Sequence, residues 1–272
     1  MSKAFVIDVS RCSGCYNCQL ACKDEHAGND WTPYAKPQPD IGQFWMKVEE
    51  HVCGTIPKVK IHYIARLCSH CERPACIRVC EAKAVYKRED GLVLIDPEKC
   101  TGCGKCADAC PYGVIYQNEE LGIYQKCTGC AHLLDHGFKL PRCVEACPTD
   151  ALRFGEEEEL ADWIEGASVM KPEAGLGPKV YYRNIPGKFV AGTVYDPVEK
   201  EIVEGAKCRL VNGGKVYSTA TDEYGDFWFN DLPVGLYDLT IEAKGFEIRV
   251  FKDIRTRECV NLGDIPLEKK KS

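Results

Sequence analysis

Cys100-Thr-Gly-Cys103-Gly-Lys-Cys106-Ala-Asp-Ala-Cys110-Pro111 is the stretch that decides the fold. Its four cysteines fall within eleven residues, at gaps of two, two and three, and the last precedes proline. Two-residue gaps make tight loops whose thiolates converge on one cubane cluster. The fourth cysteine, on the next helical turn, points to the other cluster of a two-cluster module. Three further groups share this grammar: Cys12-x2-Cys15-x2-Cys18-x3-Cys22, Cys68-x2-Cys71-x4-Cys76-x3-Cys80 and Cys127-x2-Cys130-x12-Cys143-x3-Cys147-Pro148. Because each fourth cysteine serves a different cluster from the first three, ligation must cross between groups.

The groups account for sixteen of the 19 cysteines in a chain of 272 residues. Cys53, Cys208 and Cys259 lie outside them and are read as buried free thiols of the core. A disulfide framework is disfavoured. The cysteine count is odd, no secretory signal or twin-arginine pair opens the sequence, and the chain is long enough to bury a core without staples. Structural zinc also uses Cys-x2-Cys, but its two pairs are usually separated by a longer insert. Four cysteines within eleven residues, twice over, favour iron–sulfur clusters.

Net charge is −6, from 35 basic against 41 acidic residues, which gives no electrostatic footprint for nucleic acid. No apolar run approaches the ~20 residues of a membrane helix. No Ser/His/Asp set, phosphate loop or Rossmann fingerprint appears, and Gly102-x-Gly104 belongs to the cysteine loop. His70 and His132 lie between cysteines and are expected to pack and hydrogen-bond. Lys83, Lys105 and Lys126 stand near cysteines in sequence, where they would either raise cluster potentials by their charge or remain solvated.

Around the cysteine groups the pattern repeats. The strand Ala4–Val9 feeds Cys12. The long stretch 23–67 is an insert with strand-like runs at Phe44–Val52 and Val59–Ala65. A hairpin over Ala84–Ile95, turning at Asp90-Gly91, precedes the third group, and a second from Val114 to Tyr124 precedes the fourth. Glu156–Glu165 is read as a short helix, and Lys171–Pro186, with Pro172, Pro178 and Pro186, as an extended linker. Beyond Lys188 short alternating strands recur at Val190–Val194, Lys207–Val211, Val216–Ala220, Asp226–Phe229, Tyr237–Ile241 and Ile248–Phe251. That spacing indicates a β-sandwich. The expected organisation is an α+β cluster domain at 1–150, a helix and linker that docks at 151–187, and a sandwich at 188–272.

The four groups in this order, with an insert after the first, resemble the iron–sulfur electron-transfer subunit of the molybdopterin (dimethyl sulfoxide reductase) superfamily, over residues 1 to about 185. The stretches Lys87–Lys99, Cys110-Pro-Tyr-Gly-Val114, Lys126–Asp135 and Pro178-Lys-Val-Tyr-Tyr-Arg-Asn184 are similar to the small subunits of transhydroxylases and related hydroxylases and dehydroxylases that act on hydroxylated aromatics. The resemblance implies two interleaved ferredoxin-like modules holding four 4Fe–4S clusters, outer groups pairing with outer and inner with inner. Cys12, Cys15, Cys18 and Cys147 would hold one cluster, and Cys22, Cys127, Cys130 and Cys143 a second. Cys68, Cys71, Cys76 and Cys110 would hold a third, and Cys80, Cys100, Cys103 and Cys106 a fourth.

The resemblance also implies a large partner subunit carrying a molybdenum or tungsten bis-pterin cofactor and the active site, with the Cys12 cluster nearest to it. The transhydroxylase pattern lacks part of the ligand set in the second and third groups. This sequence keeps all sixteen, which implies a complete wire to an external electron partner. Arsenate-, polysulfide- and sulfoxide-reducing partners are the alternative, and a free-standing polyferredoxin or a redox-inert, metal-stabilised scaffold are others. The polyferredoxin is disfavoured because a carrier needs no sandwich. Cytoplasm is the expected compartment, with export alongside a signal-bearing partner as the alternative. The segment Gly192–Glu247 resembles the carboxypeptidase-regulatory or Cna-B-like sandwich, through Glu204-Gly-Ala-Lys-Cys-Arg-Leu210, Thr221-Asp-Glu-Tyr-Gly-Asp-Phe227 and Leu232-Pro-Val-Gly-Leu-Tyr237. That implies docking or solubility.

Overall fold

A computed structural model describes residues 2–270. The chain divides into two compact units, one of residues 1–50 and 62–185 and one of residues 51–61 and 186–272. Both are rich in strand, and the helices lie in the first, so the class is α+β.

The first unit is organised by the strand Lys3–Asp8, whose five residues from Ala4 to Asp8 are all buried. A strand buried on both faces needs a neighbour on each edge. Leu152–Glu156 pairs antiparallel on one side and Val180–Arg183 parallel on the other. Phe5 and Ile7 enter a core with Trp45, Met46, Leu92 and Leu94. At the strand's end the Asp8 carboxylate accepts hydrogen bonds from the Ser10 amide and hydroxyl. This turns the chain through a single 3-10 turn into Cys12.

The only helix of the first unit with more than five residues, among the described residues, is Asn17–His26, which buries Cys18, Cys22 and His26. Ala75–Arg78, Lys105–Asp108 and Arg142–Glu145 are single turns carrying Cys76, Cys106 and Cys143, and Cys130 caps Ala131–Asp135. Asn17–His26 packs on Arg142–Glu145, while Ala75–Arg78 packs on Lys105–Asp108. Helical turns from the first and fourth cysteine groups therefore meet, as do those from the second and third. The hairpins Val85–Lys87/Val93–Ile95 and Tyr116–Asn118/Ile123–Gln125 lead into the third and fourth groups.

In the second unit the alternation along Lys207–Asn212, with Cys208 and Leu210 inward, sets one sheet face against a core. That sheet orders Lys215–Ala220, Lys207–Asn212, Leu236–Glu242 and Arg249–Arg255, all antiparallel. The other centres on Lys188–Asp196, antiparallel to Asp226–Leu232 and to Glu201–Ile202 and parallel to Val260–Pro266. Val190, Val194, Leu210, Phe227, Tyr237, Leu239 and Ile241 fill the space between.

Three expectations are corrected. Glu156–Glu165 is the end of one strand, a turn and only one helical turn, Ala161–Ile164, because Leu152–Glu156 is claimed as an edge for Lys3–Asp8. Lys171–Pro186 is not simply extended linker, since Val180–Arg183 supplies the other edge. Cys53 and Cys259 are not free thiols: they form a disulfide. The tip of the hairpin Lys47–Thr55/Lys58–Arg66 belongs to the second unit and is tied there several ways. Lys58, 6% exposed, pairs with Asp226. Lys60 Nζ donates to Asn230 at 2.6 Å, and Asn261 Nδ2 to the Thr55 carbonyl at 3.1 Å. Gly54 lies so close to Phe189 and the Lys58 carbonyl that a Cβ there would stand 2.3 Å from the oxygen.

Candidate metal centre: four cysteine sets

Three of the four cysteine loops read Cys-x-Gly-Cys, and the glycine has the same left-handed backbone in each: φ is 69° at Gly14, 69° at Gly102 and 64° at Gly129. The left-handed residue folds the loop so that both flanking thiols face one side. A Cβ on Gly102 would meet the Gly122 carbonyl at 2.2 Å. The second loop keeps this shape with a histidine, His70, at φ 40°. That conformation is costly for a side chain with a Cβ. His70 is offset by local contacts: its ring is 1% exposed and its Nδ1 accepts the Val93 amide at 3.0 Å.

The cysteines assemble into four sets of four. Cys68, Cys71, Cys76 and Cys110 line a cavity with about 350 Å³ of empty space, part of it open, walled by Pro74, Val93, Tyr112 and Leu176. Cys80, Cys100, Cys103 and Cys106 line a second of about 310 Å³. The other two sets show in the mutual influence of their sulfurs. Burial pushes the Cys18 thiol up to about 12, and charge on Cys12, Cys147 and Cys15 adds to it. Cys143 is pushed well up by burial and then by Cys130, Cys22, Cys127 and Cys18. Every cysteine of the four groups thus falls in one of four sets, each drawing on two groups.

Sulfurs of different sets also act on one another. Cys18 reaches both Cys22 and Cys143, Cys68 reaches Cys127, and Cys76 reaches Cys106. Two sets each have an exposed member, Cys15 and Cys103, while the set Cys22, Cys127, Cys130 and Cys143 is wholly buried.

A neutral buried thiol needs an electrophile to ionise. Burial raises Cys71 and Cys130 to about 12, so at neutral pH these side chains stay protonated unless a metal takes the proton's place. Among the described residues, no three His, Cys, Asp or Glu side chains stand close enough to hold one ion. The sulfurs ring a space instead of a point, which fits the separated corners of a polynuclear cluster better than a single tetrahedral zinc. Backbone amides point at sulfurs of these sets: Tyr124 to Cys100 and Gly129 to Cys127 at 3.4 Å, and Ala151 to Cys147 at 3.3 Å. At Cys147 burial raises the thiol, yet hydrogen bonds from Thr149 and three amides outweigh it and leave it below the usual thiol range.

Comparison with known proteins shows the family of the chain. The chain is 42% identical over 251 residues to the pyrogallol hydroxytransferase small subunit of Pelobacter acidigallici, covering 88% of this chain and 90% of that one. The chain belongs to the iron–sulfur electron-transfer subunits of the molybdopterin (dimethyl sulfoxide reductase) superfamily. A probable anaerobic dimethyl sulfoxide reductase chain of Escherichia coli (strain K12) is 42% identical over 57% of this chain and 74% of its own. The arsenate respiratory reductase iron–sulfur subunit of Shewanella sp. (strain ANA-3) is 33% identical over 67% and 96%. The 4Fe-4S dicluster domain matches residues 59–157, and the carboxypeptidase regulatory-like domain matches residues 190–263. The chain is therefore an electron-transfer subunit that carries 4Fe–4S clusters. No helix among the described residues is long and apolar enough to cross a membrane.

The other candidates separate clearly. Lys83 is exposed, and Lys105 is exposed and pairs with Glu81 at 2.5 Å. Lys126 is 2% exposed. His132 stacks on Trp31 with ring centres 4.4 Å apart, and its Nε2 faces Glu25 at 2.9 Å. Glu25 also receives Arg142 at 2.8 Å, so the helices carrying Cys22 and Cys143 are tied by an ion pair. Sequence reading missed this link. Its only signal was Glu25 and Arg142 standing next to helical cysteines. Cys208 is 1% exposed in the sandwich core, and burial raises its thiol to about 12.

Proposed function

We propose that the four sets hold four 4Fe–4S clusters, in the ligand assignment given above, on two interleaved ferredoxin-like modules. The gathering of the cysteines into sets of four, each drawn from two groups, supports this reading. A bound cluster of this type exchanges single electrons. The chain's residues supply the thiolates, exclude water from the inner sets and aim amides at the sulfurs. The exposed Cys15 and Cys103 suit opposite ends of a line of four clusters to exchange with partners. The Cys12 end would face a large subunit that holds a molybdenum or tungsten bis-pterin cofactor and binds substrate. The Cys103 end would meet an external donor or acceptor. The relative named for pyrogallol hydroxytransfer supports a hydroxylated aromatic as the partner's substrate. The arsenate and dimethyl sulfoxide reductase relatives support the runner-up.

For the compartment, the Cys53–Cys259 disulfide favours an exported complex over a cytoplasmic one, because disulfides persist in oxidising surroundings. The role is tested by purifying the native complex and measuring its subunits, molybdenum and tungsten. A subunit much larger than 30.4 kDa bearing one of those metals is expected. Replacing Cys12 with alanine should lose or convert one cluster and uncouple electron transfer while the sandwich stays folded. Unchanged iron content and turnover in that variant would refute the assignment.

A further inference from the structure

Lys126 is the most deeply buried lysine among the described residues, and no carboxylate in them lies within ion-pairing distance of it. Its ammonium is held by two backbone carbonyls, those of Val93 and Cys127, the latter at 3.1 Å. Val93 walls the cavity of Cys68, Cys71, Cys76 and Cys110. Cys127 belongs to the adjoining buried set. The charge is therefore pinned at the junction of the two middle sets, and carbonyl dipoles alone accompany it. The amide of the same Val93 donates to His70 Nδ1 at 3.0 Å.

The geometry points to Lys126 as a fixed cation that raises the reduction potentials of the two middle clusters more than those of the two end clusters. This rests on the ligand assignment proposed above. Each reduction adds one negative charge to a cluster, and an unpaired positive charge in a low-dielectric interior favours that state. Lys83 and Lys105, both exposed, are screened by water and carry no such effect.

The test is a redox titration of the purified complex, following the cluster signals by EPR, with iron counted per chain. In Lys126→Gln, which keeps a donor for the Val93 carbonyl, the reduced-to-oxidised ratio of two clusters at a fixed potential should fall roughly tenfold. A buried unit charge at ~10 Å has about that effect at an effective dielectric constant of about 20. Tenfold is about 59 mV for one electron. Two signals should move clearly further than the other two, and Lys126→Arg should leave all four in place. No shift, or an equal shift of all four, overturns the proposal. If Lys126→Gln loses iron, retention of all iron by Lys126→Arg supports it, because charge is then what holds the middle clusters. Loss of iron from both variants overturns it, because size and not charge is then at issue. Failure of the ligand assignment itself would show separately, as a wild-type chain with fewer than about sixteen iron atoms.

Discussion

Replacing Cys53 with serine removes a covalent link between residues 206 apart in sequence. In the chain-entropy account a loop of that length stabilises the folded state by about 5 kcal/mol. The loop contains residues 62–185 of the cluster unit. If that unit stays folded while the sandwich melts, the freed chain is only the hairpin tip and the stretch from Pro186 to Cys259, about 75 residues. The logarithm softens the difference, and the expected loss is still about 4.5 kcal/mol. For a unit of about 100 residues this lowers the melting temperature by roughly 20 °C. Calorimetry of the full chain, without reductant, should show the sandwich transition falling by that amount in Cys53→Ser and in Cys259→Ser alike, with iron content unchanged. A drop below about 5 °C would refute the reasoning. So would alkylation of both thiols in unreduced, denatured wild-type protein.

Leu210→Ala in the sandwich core, at a fully buried position, should cost about 2–5 kcal/mol by denaturant titration without loss of iron. Gly102→Ala places a Cβ against the Gly122 carbonyl in a left-handed loop, so iron analysis should show the loss of about four iron atoms per chain. Lys58→Met breaks the pair with Asp226 and should destabilise the second unit by about 3 kcal/mol near pH 7. At Asp226 burial raises the carboxyl, but hydrogen bonds from Lys58 and Thr193 outweigh it and hold the group below the ordinary carboxylate range. A depressed carboxyl stabilises the fold above its unfolded value, near 3.9, and loses that effect as pH falls further. The gap between wild type and Lys58→Met should therefore narrow below about pH 4, as measured by melting at stepped pH.

The cysteine sets were legible because their spacing is local. A loop of two residues with a left-handed glycine carries its own geometry, so Cys100-Thr-Gly-Cys103 is readable without any tertiary contact. The sandwich was legible for the same reason: Lys207–Asn212 alternates inward and outward residues by the period of a strand. What escaped the sequence depends on distant partners. Val180–Arg183 looks like linker because the prolines and glycines around it dominate, yet it completes a sheet with Lys3–Asp8 across some 170 residues of chain. Cys53 carries no sign of Cys259, since nothing local says that a hairpin tip joins the second unit. Lys126 follows the strand Ile123–Gln125, where alternation puts Ile123 and Gln125 inward and the next residue outward. The chain departs from that period at the cysteine loop and buries the lysine. Only the three-dimensional arrangement shows that one of the three candidate lysines is enclosed between two cysteine sets.

Metal content decides whether the four sets hold four clusters. Iron and acid-labile sulfide should be measured on the anaerobically purified full chain, together with its EPR spectrum after stepwise reduction. About sixteen iron and about sixteen sulfide per chain, with four reducible paramagnetic centres, is the predicted result. Zinc in place of iron, or a colourless protein with no reducible signal, would contradict it.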